Sequence, residues 1–438
     1  MRQDDRPNAR GLGLVRGEPG HGASLSAPSR FAEFDALRAT AIGLVVTLHS
    51  ALAYTHHDIP RLLWGVREPS PGAGFDRFCW WAMAVSVPLF FTISGFFASM
   101  AVAARGATRF WAGRVRRVVI PSFAAVPVIL PLSFAAWAVG WLVTGRCTYR
   151  EVQRLRFRDP AIESALYGPA HLWFVEYLIP ILWVYGLSCR RSRPAVGASS
   201  WLARWWAPLA LAIPATALMF VHRRWTGVDA GLDRHNTLFP EPLRLLHFAA
   251  FFLVGSAIHR TPGLLARFER RGFWTLAATV PVFAFRGWML PLDWEPEAPW
   301  TFSLLAAGAG ALGSWLSVFG LIGTYRRVFG RPHPVARYLA ESSFWVYLVH
   351  LPIVGLLQAD LFGVPIAPGG KFALTLGVTV ALGLSSYQLF VRGTALGRFL
   401  DGRSAPAVPR EAPRLGSGPV QLTRRRPNLN WSRPRRRR

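Results

Sequence analysis

The sequence predicts an all-α, polytopic integral membrane protein with about ten transmembrane helices and with both termini in the cytoplasm. Three observations predict this class. Of the 438 residues, 52% are hydrophobic, the apolar residues fall in long blocks instead of alternating with polar ones, and arginines collect in alternate loops. A block of about 20 apolar residues is long enough for one helix to cross a bilayer.

Ten such blocks follow one another along the chain. They cover residues 34–54, 78–104, 118–143, 170–189, 202–222, 242–259, 273–291, 300–323, 337–357 and 371–392. The third and eighth contain Pro or Gly, which lipid-buried helices tolerate where neighbouring helices satisfy the freed backbone groups. The fourth to seventh are only just long enough to span.

The loops between the blocks predict the orientation, because short cytoplasmic loops are enriched in Lys and Arg. Arginines follow the second, fourth, sixth and eighth blocks: Arg105, Arg109, Arg114, Arg116, Arg117, Arg190, Arg191, Arg193, Arg260, Arg267, Arg270, Arg271, Arg326, Arg327 and Arg331. Acidic residues follow the seventh and ninth: Asp293, Glu295, Glu297 and Asp360. Both termini are therefore expected in the cytoplasm.

One loop departs from this alternation. Residues 144–169 carry five arginines against three acids, yet the alternation puts them outside. Either the third helix is wrongly assigned or an anionic partner binds there.

The domain organisation follows from the same blocks. Residues 1–30 form a predicted disordered cytoplasmic tail without the apolar core of a signal peptide, residues 31–395 the transmembrane domain, and residues 396–438 a basic, disordered cytoplasmic tail. The net charge of +27 lies largely in loops and in this tail. We therefore expect the lipid bilayer as the partner of these charges, and no nucleic acid.

No metal site is expected. Three cysteines lie far apart along the chain, and the adjacent His56 and His57 lack the spacing of a helical metal site.

With no long segment outside the membrane, the candidates for chemistry are the few ionisable residues inside it, which are expensive in lipid and usually functional. Arg38 and His49 are eleven positions apart, so they face the same side of a helix about 16 Å apart. His49 and His350 lie at nearly the same depth, about 20 Å from the inner surface, and Glu176 lies toward the same layer.

A histidine in this layer is a natural proton acceptor for a hydroxyl nucleophile, and a carboxylate such as Asp35 or Glu176 can orient its ring. Other interpretations stay open. An intramembrane histidine can simply bond to a neighbouring helix, Arg114 and Arg117 can be positive-inside anchors, and His171 with Trp173 can belong to an interfacial aromatic belt.

Several short motifs also occur in a fixed order. They are Asp35-Ala-Leu-Arg38 with ten residues before His49, Phe90-Phe-Thr-Ile-Ser94-Gly95-Phe-Phe97, Arg114-Val-Arg-Arg117 before Pro121, His171-Leu-Trp173-Phe, Phe251-Phe-Leu-Val-Gly255 and Ser342-Ser-Phe-Trp-Val-Tyr347-Leu-Val-His350. With them the chain resembles the membrane acyltransferases of the acyltransferase 3 family, in particular the branch that succinylates periplasmic glucans. The resemblance covers nearly all ten blocks.

The resemblance implies an O-acyltransferase, transferring groups other than aminoacyl groups, in the bacterial inner membrane. It would move an acetyl or succinyl group from cytoplasmic acyl-coenzyme A, the donor substrate, to a hydroxyl of an extracytoplasmic carbohydrate such as a periplasmic glucan or surface polysaccharide. No permanently bound cofactor is expected.

The resemblance also implies roles for particular residues. Arg38 and His49 are catalytic, with His49 as general base or transient acyl carrier, and Arg114 and Arg117 bind the phosphates of coenzyme A. We add Glu176 and His350 as further catalytic residues. We assign Asp35, His171 and Trp173 to substrate binding.

Two alternatives to this function stay open from sequence. Ten helices with buried Arg, His and Glu also suit a proton-coupled transporter of an anion or sugar, although no duplicated halves are visible. The protein can also be a transporter that only carries the acyl group across the membrane for a separate enzyme.

Overall fold

A computed structural model describes residues 31–57, 62–166, 168–191, 197, 199–226, 239–293 and 299–400 of the chain. Within these residues the chain is helical and contains no strand. The α helices are α1 Ala32–Ala51, α2 Ala73–Arg114, α3 Ile120–Val143, α4 Tyr149–Arg154, α5 Pro160–Ala165, α6 Trp173–Arg191, α7 Ala207–Thr226, α8 Pro242–Arg260, α9 Leu264–Ala277, α10 Thr279–Asp293, α11 Trp300–Phe329, α12 Pro334–Asp360, α13 Pro368–Ser386 and α14 Ala395–Leu400. The predicted all-α class is confirmed.

Each of the ten apolar blocks falls on helix. Eight helical stretches in the described part of the chain are long and apolar enough to cross a membrane, which makes this a multi-pass membrane protein. One of them, Gly74–Val143, joins two predicted blocks, and α7 is not among the eight. The count of ten spans and the cytoplasmic termini stay predictions. The predicted tail 1–30 lies outside the described residues, as does the predicted tail 396–438 apart from residues 396–400, which belong to α14.

Helix α1 lies at the centre of the bundle and packs against α2, α11, α12 and α13. Its first turn carries Glu33 and Asp35, both buried, where carboxylates interact favourably with the helix dipole. Glu33 also accepts a hydrogen bond from Arg326 of α11 at 2.9 Å. This arrangement fixes α1 at one end and leads its other end to His49.

Helices α2 and α8 cross with their backbones in direct contact. A Cβ added at Gly95 would lie 1.8 Å from the Phe252 carbonyl oxygen, and one added at Gly255 would lie 1.9 Å from that of Thr92. Such close approach through small residues is the usual way in which membrane helices associate. Two of the motifs found in the sequence therefore meet at one helix crossing.

The arginine-rich loop 144–169 is folded. The backbone amides of Arg146 and Cys147 donate to the Trp141 carbonyl oxygen, so the chain turns back directly after α3. Arg146 then pairs with Asp159 at 2.7 Å, and this hydrogen bond holds the pKa of the Asp159 carboxyl below its ordinary value near 3.8. Helix α3 does form, so the excess of arginine here does not come from a wrongly assigned helix.

Candidate active site

A cavity of about 1070 Å³ runs through the bundle between α1, α2, α6 and α12. On α2 its lining repeats every three to four residues from Met83 to Arg105. That is 22 positions, or about 33 Å of helix, against a bilayer core of about 30 Å. The cavity therefore extends through most of the depth of the membrane.

One end of the cavity is strongly basic. Eight arginines line it: Arg38, Arg105, Arg109, Arg114, Arg117, Arg337, Arg392 and Arg398. The three predicted arginines Arg38, Arg114 and Arg117 thus lie at one site, close enough for the charges of the other two to act on Arg114. This end can bind a polyanion, because each guanidinium presents a fork of donors to phosphate.

The other half of the cavity contains His49, whose ring is held by a second histidine. Nδ1 of His49 lies 2.9 Å from Nε2 of His350. Nδ1 of His350 lies 2.8 Å from the carbonyl oxygen of Tyr347 and 3.2 Å from that of Val346. The two predicted histidines are therefore in direct contact.

These contacts fix the positions of the protons in the neutral pair. A carbonyl oxygen only accepts, so Nδ1 of His350 carries the hydrogen and its Nε2 is an acceptor. Nδ1 of His49 must then donate to it, which leaves the lone pair of His49 on Nε2. His49 thus has the tautomer of a proton acceptor, and its ring lines the cavity.

A tryptophan from the segment after α1 covers the histidine. The Trp64 ring is parallel to that of His49, with centroids 5.7 Å apart, and its Nε1 donates to Oε1 of Gln358 at 2.6 Å. The Gln358 amide in turn donates to the carbonyl oxygens of His49 and Ser50. Neither Trp64 nor Gln358 was predicted as a site residue, although a glutamine inside an apolar helix is a usable signal.

His171 and Trp173 also line the cavity. The His171 ring is buried inside the bundle, 5.2 Å from that of His350, and its carbonyl oxygen accepts from the Tyr347 hydroxyl at 2.5 Å. Trp173 packs against Phe248, 5.8 Å between centroids. Both residues therefore face the cavity that holds His49.

Asp35 and Glu176, unlike His171 and Trp173, do not face the cavity. Neither lines the cavity: Asp35 is buried in the first turn of α1, and the carboxylate of Glu176 interacts with the charge of Arg244 on α8. His350, not a carboxylate, contacts Nδ1 of His49.

A basic pocket joined inside the membrane to a pair of contacting histidines suits a membrane-embedded group-transfer enzyme. Sequence comparison specifies the class further. The chain belongs to the acyltransferase 3 family, whose model, described as an acyltransferase domain, matches residues 31–387. The protein is therefore an O-acyltransferase, and family membership favours acyl transfer over the transporter alternatives.

Curated relatives carry the name glucans biosynthesis protein C. The protein of Salmonella heidelberg (strain SL476) is 24% identical over 414 residues, covering 89% of this chain and 98% of the relative. That of Escherichia coli O6:K15:H31 (strain 536 / UPEC) is 24% identical over 395 residues, covering 86% and 95%. No solved structure matches the chain significantly.

Proposed function

We propose that the protein transfers an acyl group from acyl-coenzyme A, bound at the arginine-lined end of the cavity, to a hydroxyl of a carbohydrate that arrives from the opposite side of a bacterial inner membrane. The observation that carries this proposal is the single cavity that joins eight arginines to the His49–His350 pair. Acyl-coenzyme A is a substrate here, and the proposal needs no permanently bound cofactor.

The donor assignment rests on charge. Coenzyme A carries a pyrophosphate and a 3′-phosphate, and bidentate hydrogen bonds from arginine suit these groups. Arg114 and Arg117 were predicted for this role, and Arg337, Arg392 and Arg398 line the same end. Because this end belongs to the arginine-rich loops, the positive-inside rule supports its location in the cytoplasm.

The acceptor assignment rests on the other end and on the relatives. The curated relatives are named for glucan biosynthesis, which supports a glucan or another glycan as the acceptor. A sugar hydroxyl must come within about 3 Å of Nε2 of His49 for proton transfer. His171 and Trp173, on the wall of the same cavity, would contact this acceptor.

The proposed reaction is a direct transfer. As the acceptor hydroxyl oxygen attacks the thioester carbonyl carbon, Nε2 of His49 takes the hydroxyl proton. The resulting imidazolium is stabilised by the hydrogen bond that its Nδ1 donates to Nε2 of His350. The carbon–sulfur bond then breaks, the ester remains on the sugar, and the proton passes from His49 to the leaving thiolate. Atoms and charge balance without any other reagent.

Release of free coenzyme A by purified protein in detergent tests this function. Acetyl- and succinyl-coenzyme A are supplied with a periplasmic glucan fraction, and wild type is compared with His49→Ala. The matched control is His247→Ala, which also removes a buried histidine but lies outside the cavity lining. We expect His49→Ala to release coenzyme A about 100-fold or more slowly than wild type, and His247→Ala to release it at the wild-type rate. If wild type and His49→Ala release coenzyme A equally fast, the assignment of His49 as the base is refuted.

A further inference from the structure

Helices α1 and α2 are antiparallel neighbours on the wall of the cavity, since the end of α1 packs in one apolar cluster with the beginning of α2. Their register is given by the Arg38 guanidinium, which lies over the Phe97 ring, 5.5 Å from its centroid. His49 is eleven positions beyond Arg38 on α1, and Ser86 is eleven positions before Phe97 on α2. Eleven positions span about 16 Å in each helix, so Ser86 lies at the depth of His49.

The Ser86 side chain is buried in the cavity wall, and its hydroxyl is not bonded. Within the described part of the chain its Oγ has no hydrogen-bond partner. Serine and threonine inside a helix can donate to the carbonyl oxygen four residues earlier, as Thr92 of α2 does to Pro88 and Ser50 of α1 to Val46, both at 2.9 Å. The hydroxyl of Ser86 therefore keeps a hydrogen that it can donate to a bound substrate.

Acyl transfer requires a hydrogen-bond donor at this depth. When the acceptor oxygen attacks the thioester, the carbonyl oxygen becomes negative, and a hydrogen bond that strengthens at that moment accelerates the reaction. In the proposed reaction the carbonyl carbon lies close to Nε2 of His49, so its oxygen lies at the depth of Ser86. Trp64 and Tyr347, which line the same cavity, donate within the protein instead.

We propose that Ser86 is a further catalytic residue, whose hydroxyl donates a hydrogen bond to the thioester carbonyl oxygen and stabilises the oxyanion. As the new carbon–oxygen bond forms, the carbonyl π electrons move onto this oxygen. When they return, the carbon–sulfur bond breaks, and the thiolate takes the proton held by His49. Ser86 keeps its own proton throughout. This inference rests on the proposed function and adds the group that stabilises its transition state.

The same geometry distinguishes this role from that of a covalent acyl carrier. A nucleophilic serine donates its hydrogen bond to the base that activates it. Ser86 makes no such bond to His49. Its hydrogen is therefore available to the substrate oxygen.

Ser86→Ala tests the role in detergent-purified protein, by coenzyme A release from acetyl- and succinyl-coenzyme A with the glucan fraction. For a donor that wild type uses, we expect kcat to fall about 100-fold with little change in KM, because the bond strengthens only in the transition state. The melting temperature should not fall, because the lost hydroxyl made no hydrogen bond. The matched control is Ser133→Ala, which should keep the wild-type kcat. Ser133 is also buried and unbonded among the described residues, but lies outside the cavity lining.

A second pair of variants separates the hydroxyl from the shape of the side chain. Ser86→Thr keeps the hydroxyl, and Ser86→Val has the shape of threonine without it, so kcat of the first should exceed that of the second about tenfold or more. Wild-type kcat in Ser86→Ala, or equal kcat in the Thr and Val variants, overturns the inference and leaves the proposed function intact.

Two further outcomes are also decisive. Transfer of a labelled acyl group onto wild-type protein without acceptor, abolished in Ser86→Ala, overturns the inference, because Ser86 would then carry the acyl group itself. If folded wild type releases no coenzyme A from either donor, the proposed function fails, and the inference with it.

Discussion

Replacing His350 tests the tautomer argument most directly. In His350→Ala the His49 Nδ1 hydrogen loses the acceptor now 2.9 Å away. An unsatisfied buried donor costs about 1–3 kcal/mol, and each 1.36 kcal/mol corresponds to about a factor of ten in rate. Because the proton is then no longer held on Nδ1, we expect kcat to fall about 5- to 150-fold, with little change in KM for the donor.

The conservative variant separates this role from a purely structural one. In His350→Gln the side-chain amide oxygen can stand where Nε2 stands and accept the same hydrogen bond, so most of the activity should return. The assay is coenzyme A release by purified protein, with the folded fraction measured by size-exclusion chromatography in the same detergent. Full activity in His350→Ala, or equal losses in both variants with intact protein, would refute the reasoning.

Three further predictions concern other parts of the molecule. Arg114→Gln should raise KM for acyl-coenzyme A about tenfold through loss of a charged hydrogen bond, whereas Arg270→Gln, an exposed arginine outside the cavity, should not change KM. Gly95→Ala should lower the melting temperature in detergent, because its Cβ would collide with the facing backbone; Gly43→Ala, with nothing within 4 Å, is the control and should melt like wild type. The lowered pKa of Asp159 contributes stability to its loop that is present above about pH 4 and lost as the pH falls through that pKa. The protection factors of the loop amides, which correct the hydrogen-exchange rates for their intrinsic pH dependence, should fall on such acidification in wild type and should lose that dependence in Asp159→Asn.

The sequence was sufficient to predict which residues of the candidate site share one face of a helix and which lie at one depth. Arg38 and His49 share a face of α1, and counting helical rise placed His49 and His350 at one depth; the structure brings these two rings together. Depth alone does not specify the direction in which a side chain points. Glu176 was assigned on depth, and in the structure its carboxylate interacts with Arg244 instead.

Contacts between distant segments were out of reach of sequence reasoning. Trp64 and Gln358 are 294 positions apart and meet only because the segment after α1 folds back onto α12. Arg392 is the last residue of the last apolar block and Arg398 lies in the predicted basic tail, and neither was predicted as a site residue. Their place on the cavity wall depends on the packing of the chain after α13, which no local pattern specifies.

The connection between Trp64 and His49 limits how the proposed acceptor side can be engineered. One glutamine side chain bonds both the loop tryptophan and the backbone of the helix that carries the base. A loop exchanged between relatives to alter the proposed acceptor specificity would remove Trp64 and leave Gln358 on α12 without this partner. Such grafts should therefore transfer Trp64 and Gln358 as a unit, since a graft of the loop alone would change the position of the base together with the specificity.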